Sequence, residues 1–145
     1  MADVRTVRLG RTFDLILCLG NAAAYMLSEQ DLTALLGTFA AHAHRGTLLL
    51  ITTLVGDGRA GGSNHVVITG LGHARVDTRS RWNPHTRIQA TTRRWEFADG
   101  RVEQDGMWRR RPTRHELNTG LTLAGFDVLE VGRPEDPITV GGLRR

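Results

Sequence analysis

Lysine is absent from this chain: all 19 of its basic residues are arginine. It also has one cysteine, one tyrosine and no run of about twenty apolar residues of the length a membrane span needs. Each absence excludes something. The lone Cys18 rules out a disulfide framework and an all-cysteine metal site, and its apolar flanks mark it as core. With no apolar span and no signal peptide, a soluble, cytoplasmic protein with no membrane partner is expected. Six histidines are scattered without carboxylate or cysteine partners at ligand spacing, so no metal is expected. Nucleic-acid patches usually mix lysine with arginine. The net charge of +4 and pI near 10.8 therefore read as coding bias plus a solvated basic face.

At 145 residues the chain is one domain's worth and can bury a real core. Phe13-Asp14-Leu15-Ile16-Leu17-Cys18-Leu19 is a nearly continuous apolar run, as suits a strand buried on both faces. Gly20-Asn21 ends it. Ser28 is an N-cap with Asp31 in capping-box position. Leu32, Leu35, Leu36, Phe39 and Ala43 follow at helical spacing, which predicts a helix over 28–43. Arg45-Gly46 punctuates, and Thr47 to Val55 reads as a second buried strand. Strand, helix, strand with short joints predicts a βαβ unit and a parallel sheet.

From Gly56 to Asn64 the composition is Gly-rich and reads as a linker. The pattern then turns alternating and β-branched: Val66 to Thr69, Ala74 to Val76, and Arg87 to Phe97. Asp99-Gly100 is a hairpin turn, and Val102 to Trp108 is the returning strand. Thr113 and Glu116 form a second capping box. Leu117, Leu121 and Ala124 mark a helix closed by Gly125, Phe126 to Val131 is a buried strand, and Ile138 to Val140 a short last one.

These motifs, in this order and spacing, resemble a class I S-adenosylmethionine-dependent methyltransferase of the small-molecule branch, notably the macrolide amino-sugar N-methyltransferases. The resemblance spans nearly the whole chain, although each motif alone is only moderately specific. It implies an α/β fold: a Rossmann-like methyltransferase sheet, N-terminally truncated, carrying an inserted antiparallel β-segment. The expected organisation is a single partial domain, with a βαβ core over 1–55, an antiparallel cover over 56–111, and a closing helix and strands over 112–145. The cofactor implied is S-adenosyl-L-methionine. By resemblance, Asp3 accepts a hydrogen bond from the adenine amino group and Val4 contacts the ring. Leu19, Gly20 and Asn21 line the methionine portion, and Tyr25 walls the substrate pocket with His65 beside it. The substrate implied is a small molecule, an amino-sugar or similar amine. The family's Gly-rich loop and ribose-binding acid have no counterpart ahead of Asp3, so impaired activity of this chain alone is expected. Self-association through a Phe13–Leu19 edge is expected for the same reason.

Other readings are weaker. Gly56-Asp57-Gly58-Arg59-Ala60-Gly61 satisfies a dinucleotide fingerprint, yet the pyrophosphate needs a helix N-terminus and Ser63 to Thr69 is strand-like. Trp82, Trp95 and Trp108 suit the apolar side of a sheet better than base stacking. His65 and His73 are candidates for a general base, but methyl transfer to a neutral amine needs mainly alignment, and no catalytic residue is assigned. The alternative from another class is a non-enzymatic basic module that binds nucleic acid through the arginine-rich β-segment.

Overall fold

The computed structural model describes residues 2–70, 72–131 and 138–145. By packing, the chain divides into two compact units: residues 1–56 with 110–145, and residues 57–109.

In the first unit, the apolar run forms β1 (Phe13–Cys18) and a 3₁₀ turn follows over Ala22–Tyr25. Helix α1 (Glu29–Ala41) then leads into β2 (Ala43–Thr53). The strands pair in parallel, Leu15 beside Leu48 and Cys18 beside Ile51, as the βαβ pattern requires. Ser28 caps α1 by accepting from the Asp31 N–H at 3.0 Å. The reciprocal half of the box is absent, because the Asp31 carboxylate accepts a hydrogen bond from the Ser28 hydroxyl instead. The helix stops at Ala41, two residues short of the predicted end, and Ala43 opens β2. At that stop the His42 ring is buried: its Nδ1 lies 2.8 Å from the Thr38 carbonyl, and its Nε2 accepts from the Leu9 N–H at 2.8 Å.

Helix α2 (Arg114–Leu123) begins on the predicted capping box, with the Glu116 N–H donating to Thr113 Oγ1 and the Thr113 N–H to the Glu116 carboxylate. Gly125 closes it at φ +84°, which a side chain would resist. Two more strands complete the sheet, β7 (Phe126–Val131) and β8 (Ile138–Arg144), the latter longer than the sequence suggested. The strand order is β1-β2-β8-β7, with β8 antiparallel to both neighbours. Both helices pack on one face. Leu32, Leu35, Leu36 and Phe39 of α1 meet Leu117 and Leu121 of α2 over Cys18, Leu49, Ile51 and Phe126 of the sheet. The helices lie close: a Cβ on Gly120 would stand 2.7 Å from the Leu36 side chain.

The opposite face of this sheet is covered by no helix among the described residues. Pairing aligns Leu15, Leu48 and Leu143 in one row, and Leu17, Leu50 and Gly141 with Leu129 in the next. Leu15, Leu17, Leu129 and Leu143 are 41–52 % exposed.

The second unit is a four-stranded antiparallel sheet in sequential order: β3 (Gly61–Thr69), β4 (Gly72–Asn83), β5 (Ile88–Phe97) and β6 (Val102–Arg110). Its last residue, Arg110, belongs by packing to the first unit. The segment read as a linker is strand from Gly61 on, because pairing of Gly61–Asn64 with Asp77–Ser80 outweighs weak local propensity. Ala74 and Val76 are buried on one side. The Trp82 ring lies where a Cβ on Gly58 would intrude, at 2.4 Å. Trp95 donates its indole N–H to Asp105 at 3.3 Å under the Arg93 guanidinium. Trp108 departs from the expectation: it stands exposed rather than packed on an apolar side. No described helix is long and apolar enough to cross a membrane.

Candidate functional site

The carboxyl end of β1 is where local backbone chemistry is most unusual. Gly20 and Asn21 both hold left-handed conformations, φ +67° and +63°. Two such residues in succession turn the chain sharply out of the strand, and the second does so at a cost to a residue with a Cβ. The turn is closed by the Ala22 N–H on the Leu19 carbonyl and the Ala24 N–H on the Asn21 carbonyl. Asn21 Oδ1 is buried and has no hydrogen-bond partner among the described residues. Orphaned buried acceptors are costly in a native protein and call for a reason. Tyr25 ends the 3₁₀ turn half exposed.

The segment ahead of β1 is held along α1. The Arg5 carbonyl accepts from Thr38 Oγ1 at 2.8 Å, Arg8 donates to the same hydroxyl, and the Leu9 N–H is fixed by His42. The Arg5 guanidinium grips both Asp3 carboxylate oxygens at 2.6–3.1 Å and reaches Asp31 in the first turn of α1 at 2.5 Å. Asp3 is therefore tied to the end of α1 to which β1 delivers the chain through Leu19–Leu27. Hydrogen bonds from the Arg5 side chain, then from its backbone N–H, lower the Asp3 pKa to about 2. Asp3 is thus an ionised acceptor at neutral pH, exposed on its outer side beside an exposed Val4.

The predicted residues thus fall into two groups. Asp3, Val4, Leu19, Gly20, Asn21 and Tyr25 all lie in the first unit, the first two tied through Arg5 to the helix that follows the others. His65 lies on β3 of the antiparallel unit, exposed opposite Val76. Some arginines of that unit pair with acids: Arg87 with Asp57, Arg93 with Asp105, Arg94 with Glu96, and Arg101 with Glu103. A cavity of about 260 Å³ opens there between Asp77, Arg79, Arg93, Arg94 and Gln104. The Gly56–Gly61 fingerprint runs into β3, not a helix, so it has no N-terminus with which to hold a pyrophosphate. No group of metal-ligating side chains occurs among the described residues.

Sequence reasoning missed Arg5 and His42. Arg5 looked like one basic residue among many, and its role depends on a chain reversal that brings Asp3 and Asp31 to it. Nothing in the sequence singles out His42, whose ring is buried and accepts the Leu9 N–H.

No protein-family model and no curated protein matches the chain. Solved structures do. One is SAM-bound CalS10, an amino pentose methyltransferase from Micromonospora echinaspora involved in calicheamicin biosynthesis. It is 24 % identical, with a TM-score of 0.81 over 99 % of this chain and 63 % of that one. KedS8, a sugar N-methyltransferase from Streptoalloteichus sp ATCC 53650, gives 22 %, 0.82, 99 % and 61 %. DesVI of Streptomyces venezuelae gives 19 %, 0.80, 99 % and 64 %. The chain spans less than two thirds of the length of each. The chain therefore shares its α/β fold with these solved methyltransferases.

Proposed function

We propose that this chain carries the adenine- and methionine-facing part of an S-adenosylmethionine site in a methyltransferase acting on a small amine, such as an amino-sugar. The observation that carries the reading is the Asp3 carboxylate held in place by Arg5, with an orphaned acceptor, Asn21 Oδ1, at the end of β1. The fold shared with CalS10 and KedS8 supports it, and so does the chemistry those two names state.

In this reading Asp3 accepts from the adenine amino group and Val4 lies against the ring. The Leu19-Gly20-Asn21 backbone, bare of a side chain at Gly20, admits the methionine portion closely, and Asn21 Oδ1 accepts from its ammonium. The cofactor supplies a methyl group on a sulfonium. The chain's own part is to hold that group still and in line with a neutral nitrogen, which by itself removes much of the barrier. Tyr25 is assigned to the substrate side, with no base required. Because the site so described is partial, the 145-residue chain alone binds cofactor weakly and turns over little.

The Arg93–Asp105, Arg94–Glu96 and Arg101–Glu103 pairs count against the nucleic-acid reading, because they engage cations that a phosphate backbone would need. Ultraviolet cross-linking of radiolabelled S-adenosylmethionine tests the proposal. Label should enter the 1–27 segment, fall at least fivefold in Asp3→Asn, and resist chase by polyphosphate. Label elsewhere, or unaffected by Asp3→Asn, overturns it.

A further inference from the structure

Asp3 is held by its own turn. Its carbonyl accepts from the Thr6 N–H at 3.1 Å and the Val7 N–H at 2.9 Å. Its Oδ1 accepts from the Arg5 backbone N–H at 2.9 Å, which makes an Asx turn. The Arg5 side chain then folds back on the same carboxylate. Its Nε–H lies 3.1 Å from both oxygens, and its Nη2 donates to Oδ2 at 2.6 Å. An ionised carboxylate has about four acceptor sites, and N–H groups of Arg5 take all but one. Oδ1 holds the backbone N–H and a share of Nε–H, so the site left open among the described residues is on Oδ2. The guanidinium is fixed from behind as well. Its Nη1 donates to Asp31 Oδ1, while Asp31 Oδ2 accepts from the Ser28 hydroxyl at 2.8 Å. A continuous chain of hydrogen bonds thus runs from the N-cap of α1 through Asp31 and Arg5 to Asp3.

We propose that Arg5 is a positioning residue that sets purine selection: anchored on Asp31, it orients Asp3 so that one acceptor on Oδ2 remains, which favours a 6-amino over a 6-oxo purine. The proposal rests on the role given to Asp3 above. A carboxylate with a single open acceptor takes one N–H, which a 6-amino group supplies. A 6-oxo group brings another acceptor against it, and the two oxygens repel. Lysine could not do the same, because an ammonium is a point charge without the fork. The guanidinium engages Asp3 and Asp31 at once through separate nitrogens. Exposure also favours orientation over charge: Arg5 and Asp3 are 42 % and 43 % exposed, and water screens their attraction.

The test titrates the 145-residue chain with S-adenosylhomocysteine and with its 6-oxo analogue, read by nuclear magnetic resonance. The parent should prefer the 6-amino ligand at least about tenfold, the worth of one hydrogen bond to a charged group. Arg5→Lys, which keeps the charge, and Arg5→Gln should each bring that preference below about threefold. Asp31→Asn should lower it less. Arg11→Gln, which removes a charge from the same segment without touching Asp3, should leave it unchanged. A readout without ligand accompanies these. The Asp3 carboxyl, which titrates at about 2 in the parent, should move toward the ordinary 3.8 in Arg5→Lys. Circular dichroism verifies that each variant is folded. A parent without the preference, or an Arg5→Lys protein that retains it, overturns the inference. Asp3→Asn that binds as the parent does removes the Asp3 assignment and the inference together. Asp3→Asn that loses binding while Arg5→Lys keeps the preference removes the inference alone.

Discussion

Glu116 is the residue whose loss the structure prices most clearly. One carboxylate oxygen accepts the Thr113 N–H at 2.7 Å and closes the capping box of α2. The other takes the Arg110 guanidinium, which is only 5 % exposed and has Glu29 as its further partner at 3.6 Å. Glu116→Gln keeps an acceptor for the Thr113 N–H but removes the charge facing a buried cation. Breaking a buried ion pair costs about 3–5 kcal/mol. Glu29 is mostly exposed and stays within reach of Arg110, so the cost falls at or just below the bottom of that range, about 2–3 kcal/mol. Glu116→Ala also loses the cap, adding about 1 kcal/mol. Urea denaturation of the three proteins at pH 7 checks both figures. The pH dependence supplies a second reading. Burial pushes the Glu116 carboxyl up, but hydrogen bonds from Thr113 and Arg110 outweigh it, and the net value lies below the ordinary 4.5. A group with a depressed folded pKa stabilises above its unfolded value and loses that contribution as pH falls through the folded one. Parent stability should therefore decline below about pH 4.5 more steeply than that of Glu116→Gln. A Glu116→Gln protein within 0.5 kcal/mol of parent (roughly the scatter of surface substitutions), with the same acid limb, would refute the reasoning.

Other expectations follow from packing and backbone. Phe126→Ala empties the centre of the first unit, where Phe126 is fully buried beside Gly142, and should cost about 3–5 kcal/mol by denaturant titration. Gly20→Ala has space but the wrong backbone, φ +67°, and should cost about 1–2 kcal/mol, with weaker cofactor cross-linking. His42→Ala removes the acceptor that fixes Leu9, so amide exchange at Leu9 should accelerate more than tenfold while α1 stays helical by circular dichroism.

The parts of the fold legible in the sequence are those set by local rules. Leu32, Leu35, Leu36 and Phe39 recur at helical spacing and form the buried side of α1. Thr113 and Glu116 announce α2, and the unbroken run from Phe13 gives β1. What escaped depends on partners distant in sequence. Gly61–Asn64 has poor strand propensity and is strand because β4 pairs with it. Gly141 and Gly142 looked like an end, yet β8 runs through them, and a Cβ on Gly142 would stand tight against the Phe126 Cβ at 3.1 Å. The candidate site divided the same way. Gly20-Asn21 is visible as turn chemistry, and Asp3 came by resemblance. The Arg5 side chain that grips Asp3 also reaches Asp31, 26 residues beyond it, and no local pattern announces that contact.

The central claim is that residues around β1 hold the adenine and methionine parts of the cofactor, and a nuclear magnetic resonance titration with S-adenosylhomocysteine tests it most directly. Shift changes confined to Asp3, Val4 and Leu19–Asn21, with weak affinity and loss in Asp3→Asn, are the predicted result. Shifts mapping instead to the cavity between Asp77 and Gln104, or no shifts at millimolar ligand, would contradict it.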